Sequence, residues 1–246
     1  MQSVQGMVQA FGAGLYQNVN NIIINGGNIN AQGSGYGSGI GSCGSNADNI
    51  IINGGNIAVK GSLHNGSGIN ATGGKILITA GHICAEGDGR YYQYYGKANG
   101  IVANEVRIIG GVVESKSIYA GAGIACRENG IINLTGGNIL VRGKEFSLGT
   151  YSESTIISYI PTDGVNNLYE TQIKLQNIGE NKKIESITTS DNIEYGIKDM
   201  YTLEDGMLYL YLPQGNREIT IKVDGKTYKG DVETKEEENV TVLNQI

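Results

Sequence analysis

NIIINGGNINA at 21–31 returns as NIIINGGNIAV at 49–59, KILITAGHICA at 75–85, EVRIIGGVVES at 105–115 and IINLTGGNILV at 131–141. Each copy is an apolar-alternating run, a glycine corner and a second short alternating run. Aligned on the corner glycine, at Gly27, Gly55, Gly81, Gly111 and Gly137, the copies step by 28, 26, 30 and 26 residues. The apolar period is two, so the repeat builds strands rather than helices. A strand repeat of this length belongs to a coiled sheet.

The aliphatic positions lie five and three residues before the corner and two and four after it. The first set is Ile22, Ile50, Ile76, Val106 and Ile132, and the second is Ile24, Ile52, Ile78, Ile108 and Leu134. Past the corner come Ile29, Ile57, Ile83, Val113 and Ile139, then Ala31, Val59, Ala85, Ser115 and Val141. Only Ser115 among these is polar. Side chains alternate across a strand, so each set points one way, and stacked windings lay like on like in the interior. Each winding also covers the open backbone edge of its neighbour. The expected fold is all-β: a parallel, right-handed beta-helix of about five coils over 1–149, then a small antiparallel, sandwich-like beta domain over 150–246. The second part is read from alternating segments such as TIISYI (155–160), YETQIKLQ (169–176), MLYLYLP (207–213) and REITIKV (217–223), separated by turn residues. It is expected to cap the coil stack.

Glycine accounts for 39 residues, as sharp corners between β-branched strands require. A second recurring turn, GAGL (12–15), GSGI (37–40), GSGI (66–69), ANGI (98–101) and GAGI (121–124), carries one aliphatic each. Just after the corner sit Asn28, Asn56, His82, Val112 and Asn138, read as an asparagine ladder bonding coil to coil, with His82 a substitution within it.

The net charge of −6 argues against a nucleic-acid partner, which wants a basic stripe. No apolar stretch reaches the roughly 18 residues that span a membrane, so no insertion is expected. The first residues have no basic region followed by an apolar one, and the first GxG turn comes at Gly12. The chain is therefore read as a piece of a longer one carrying other domains. The three cysteines, Cys43, Cys84 and Cys126, fall in different coils and form no CxxC pair; they are read as small fillers. With only two histidines, a histidine-rich metal site is not expected, nor is a cofactor.

GSGIGSCGSNADNIIINGGNIAVKG (37–61) resembles the glycine-rich repeats of surface and secreted proteins of Gram-positive, clostridia-like bacteria, some of them carbohydrate-binding or adhesin-like. YGIKDMYTLEDGMLYLYLPQG (195–215) resembles a segment that often follows such repeats. The resemblance implies a secreted or cell-surface location and a beta-helix architecture more than a chemistry.

The 30-residue step inserts GDGRYYQYYGKANG at 87–100, placing Arg90, Tyr91, Tyr92, Tyr94 and Tyr95 on one turn. Tyrosine faces stack on sugar rings and the phenol adds a hydrogen bond at the edge. Tyr36, His64 and Tyr119 fall in the corresponding turns, so a ridge that binds polysaccharide or glycan is expected, in a non-catalytic carbohydrate-binding or adhesion module. Two alternatives remain: a rigid stalk with the rings packed down, and a polysaccharide lyase or hydrolase. Of the outward positions flanking the corners, only Glu114 is a carboxylate. Glycoside cleavage usually needs a facing pair, for which Glu86, Asp88 and Glu105 are the turn candidates.

Overall fold

A computed structural model describes residues 5–7, 21–42, 49–64, 66–90, 98–152, 155–158, 168–237 and 239–246. The first twelve strands are β1 (Gln5–Met7), β2 (Ile22–Ile24), β3 (Asn28–Gln32), β4 (Ile40–Ser42), β5 (Asn49–Ile52), β6 (Asn56–Lys60), β7 (Ile69–Ile78), β8 (His82–Gly87), β9 (Ile101–Ser117), β10 (Ala122–Arg142), β11 (Phe146–Ser152) and β12 (Thr155–Ser158). The first eleven form a parallel β-solenoid with three ladders, and β12 pairs antiparallel with β11 at its end. Before the corner, β2, β5, β7, β9 and β10 pair in turn. After it, β1, β3, β6, β8, β9 and β10 do so. The third ladder joins β4, β7, β9, β10 and β11. The long β9 and β10 run through all three, with bulges where the chain changes face.

The register places equivalent residues directly on one another. Ile22, Ile50, Ile76, Val106 and Ile132 form one column, and Ile29, Ile57, Ile83, Val113 and Ile139 another. All repeat aliphatics are buried except Ile22, which is half-buried against the same core. Ser115, the one polar member, is also buried and donates its hydroxyl to the Gly123 carbonyl at 2.8 Å, so it carries no orphaned group. A fifth column, Ile40, Ile69, Ile101, Ile124 and Leu148, comes from the second glycine turn and fills the interior from the third face. Each such side chain contributes roughly 1.5–3 kcal/mol on burial.

The corner glycines are fixed by two constraints at once. Gly55, Gly81 and Gly111 have φ of 104°, 100° and 89°, in the region that side chains resist. A Cβ on any of them would meet the carbonyl oxygen of the preceding corner glycine at 2.7 Å. Those carbonyls already accept the 2.8 Å bonds from Asn56, His82 and Val112 that hold coil to coil.

Asparagine does bond coil to coil, but before the corner rather than after it. Asn49 Nδ2 donates to Asn21 Oδ1 and Asn53 Nδ2 to Asn25 Oδ1, both at 2.9 Å, and Thr79 Oγ1 donates to Asn53 Oδ1 at 3.1 Å. The column after the corner is interrupted by His82 and Val112, so no continuous amide ladder can form there.

A second, six-stranded sheet runs β13 (Leu168–Leu175), β14 (Ile184–Thr189), β15 (Met207–Pro213), β16 (Gly215–Val223), β17 (Lys226–Thr234) and β18 (Val240–Gln245) in chain order, and β14-β16-β17-β18-β13-β15 in space. It is mixed rather than wholly antiparallel, because β18 returns parallel to β13. Residues of all six strands share one apolar core around Tyr228, Leu210 and Ile221. Between β14 and β15 the chain crosses the last two solenoid corners: Gly111 N and Gly137 N donate to Lys198 and Gly196 carbonyls at 2.7 Å, and Gly196 N donates to Thr135 O at 2.9 Å. Leu168 and Tyr211 join the solenoid core, covering apolar surface that the last winding leaves open. Asn138, at a ladder position, is buried in this seam. Its amide donates to the Tyr201 and Met207 carbonyls and accepts from Tyr209 N at 2.7 Å. Among the described residues no helix is long and apolar enough to cross a membrane.

Candidate functional site

The turns that follow the second strand of each coil pile up along one edge, linked by backbone bonds such as Ser62 N to Gly37 O and Ile118 N to Gly87 O, both 3.0 Å. Tyr36 stands on the first of these turns, 40 % exposed, with its ring centroid 5.4 Å from that of His64 on the next. Arg90 follows on the third, and its guanidinium sits 5.0 Å from the ring centre of Tyr119 on the fourth, within cation–π range. Tyr119 is 46 % exposed. Arg90 is anchored from below by Asp88, whose side chain is fully buried and lies 3.6 Å from Arg90 Nε and 3.4 Å from Lys60 Nζ. Asp88 thus has two cations within ion-pair range but, among the described residues, no hydrogen bond to its carboxylate oxygens, and one of those cations, Arg90, lies over the Tyr119 ring. Tyr91, Tyr92, Tyr94 and Tyr95 lie outside the described residues. Arg90, Tyr36 and Tyr119 are therefore on one edge, in two pairs.

The outer surface of the post-corner ladder is a second feature. Outward side chains at its far end form the row Gln32, Lys60, Glu86, Lys116 and Arg142. Glu86 is clamped by Lys60 Nζ at 2.5 Å and Lys116 Nζ at 2.7 Å. Burial pushes its carboxyl up, but hydrogen bonds from Lys116 and Lys60 outweigh that and hold it below the usual range. Arg142 pairs with Glu170 of the second sheet at 2.9 Å. An open groove of about 360 Å³ crosses this face, with Lys60, Cys84, Glu86, Glu114, Lys116 and Arg142 in its lining.

Beside the charged row, strand alternation puts His82 and Cys84 on the same side of β8, and the parallel register sets Cys84 against Glu114 of the next coil. His82 Nε2 lies 3.3 Å from Glu114 Oε1. The Cys84 Sγ donates to the same oxygen at 3.6 Å and lies 3.9 Å from Nε2. All three are half-buried. Hydrogen bonding to Cys84, then to Glu114, raises the His82 imidazolium to about 10. The bond to His82, reinforced by Cys84, lowers Glu114 despite its desolvation.

The acids proposed for cleavage are all engaged: Glu86 by two lysines, Asp88 by Lys60 and Arg90, and Glu105 by Lys75 at 2.6 Å. None is offered as an ion-free acid or base to a bound sugar. No family model, curated protein or solved structure matches this chain. The sequence singles out the tyrosine turns, with His82 read as a substitution within the asparagine ladder and Cys84 as a small filler. The missed signal is arithmetic: Glu114 follows Cys84 by 30 residues, the length of that one step between corners, so the two must be neighbours.

Proposed function

We propose that the chain is a non-catalytic carbohydrate-binding or adhesion module of a secreted or cell-surface protein, contacting polysaccharide or glycan along the aromatic edge of the solenoid. The observation that carries this reading is the stacking of exposed Tyr36–His64 and Arg90–Tyr119 pairs on successive turns of one edge. Coils repeat at roughly 4.8 Å, so rings on the first and fourth turns span roughly 14 Å, the reach of a short linear glycan. Exposed aromatic faces braced from behind offer area at little entropic cost, and Arg90 adds donors for hydroxyl or carboxylate groups. The Tyr91, Tyr92, Tyr94 and Tyr95 insertion falls, in sequence, in the middle of this run.

The test is retention of the protein on a glycan array and on polysaccharide affinity gels. A Tyr36→Ala/Tyr119→Ala variant and a Tyr91/Tyr92/Tyr94/Tyr95→Ala variant are each expected to lose at least tenfold in affinity while keeping the parent's melting temperature to within a few degrees. Equal retention by parent and both variants rejects the assigned edge, and no retention of the parent on any glycan leaves the rigid-spacer reading in its place.

A further inference from the structure

We propose that His82, Cys84 and Glu114 form a binding site for one divalent transition-metal cation of the zinc type, with its remaining coordination position open to the groove. Imidazole nitrogen, thiolate sulfur and carboxylate oxygen are the three donor types that zinc takes, and the sulfur and nitrogen together disfavour calcium and magnesium, which want oxygen. Tetrahedral bonds of about 2.0–2.3 Å require separations of about 3.3 Å between N and O, 3.5 Å between S and O and 3.6 Å between S and N. The observed separations are 3.3, 3.6 and 3.9 Å. A cation seated among them needs only the sulfur–nitrogen pair to close by roughly 0.3 Å.

The scaffold fixes this arrangement. His82 and Cys84 share one face of β8, and Glu114 on β9 is the register partner of Cys84. The three Cα positions are held by continuous parallel ladders on both sides, which is the preorganisation a metal site needs. Three protein ligands with an open fourth position is the arrangement of sites that bind or polarise a further ligand, rather than closed structural ones. Cys84 and Glu114 both line the groove, so a further ligand would reach that position from it. On binding, the thiol proton of Cys84 and the proton on His82 pass to solvent. The site is separate from the aromatic edge and stands or falls independently of glycan binding.

The repeat itself supplies the control substitutions. Asn occupies the His82 position in three other coils and Ala the Cys84 position in one, namely Asn28, Asn56, Asn138 and Ala58. The metal-free full chain is titrated with Co²⁺, followed by its thiolate-to-cobalt charge-transfer absorption, and then with Zn²⁺ as competitor. One cobalt per chain with a thiolate band, displaced by zinc, is expected. Affinity should fall at least tenfold in His82→Asn and Glu114→Gln, and the band should vanish in Cys84→Ala, while the metal-free melting temperatures of the variants stay near that of the parent. Absence of a one-to-one complex overturns the proposal. So does affinity unchanged in His82→Asn and Glu114→Gln, or a thiolate band that survives Cys84→Ala and so belongs to Cys43 or Cys126.

Discussion

Single residues in this solenoid are constrained by what lies one winding away. Gly81 combines φ of 100° with a Cβ approach of 2.7 Å to the Gly55 carbonyl, so Gly81→Ala is strained and clashes at once. A loss of about 1–3 kcal/mol is expected from the backbone angle alone, with more from displacing an oxygen that bonds His82 N; denaturant midpoints of the two proteins check it. Gly26, one residue before its corner, is the contrasting site: a Cβ there would meet nothing within 4 Å, and the same repeat position carries Ala80 in the third coil. Glycine at the corner was legible from sequence because it recurs there five times. That Asn138 serves a different purpose from Asn28 and Asn56 was not, since all three carry the same letter at the same repeat position.

At the scale of the strand, the ladder β6-β8-β9 stacks a line of alternating charge, Lys60, Glu86 and Lys116. The folded chain holds the Glu86 carboxyl below its ordinary value, so near and below the unfolded value the unfolded state binds more protons, and stability rises with pH there. The Glu86 contribution is therefore fully present above the ordinary carboxyl range, about pH 5, and lost as pH falls through the lowered folded value. Comparing parent with Glu86→Gln by denaturant unfolding from pH 7 to pH 3, the parent's advantage should be constant at the upper end and disappear at the lower. An advantage that grew on acidification would contradict this pairing. Cross-coil pairs of this kind are sequence-legible once the step length is known, but the inserted residues of the 30-residue step shift the count by four relative to the steps of 26. Aligned on the corner glycines, Cys84 and Glu114 share one offset, three past the corner; what the sequence left open is how closely the side chains approach.

For the molecule as a whole, the second sheet is joined to the solenoid by a seam of buried polar groups rather than by apolar contact alone. Asn138 satisfies two carbonyls and one N–H across it, while the buried Tyr195 hydroxyl donates to Gly137 O at 2.9 Å. Asn138→Ala removes all three bonds, although Met207 O keeps its bond from Leu203 N; a buried group left without a partner costs about 1–3 kcal/mol. The substitution should loosen the last winding and the 195–211 segment together, read as faster amide exchange at both, with the early windings unaffected. Asn56→Ala, at the same repeat position but exposed, should change little. The segment 195–215, distinctive in sequence, is the part that crosses the corners and lines this seam.

Sequence alone determined the winding, because a period of two in apolar residues and a fixed glycine position leave the chain one way to bury its aliphatics and pair its strand edges. The columns of isoleucine and valine follow from that repetition and need no other information. Only the tertiary structure decided which identical positions differ in role, how the second sheet docks and that β18 returns parallel to β13. It also decided that a histidine, a cysteine and a glutamate from two coils meet at one point. The physical reason is that burial of a repeated face is a property of local pattern, whereas the meeting of side chains across coils depends on register, and register on the length of every turn between them.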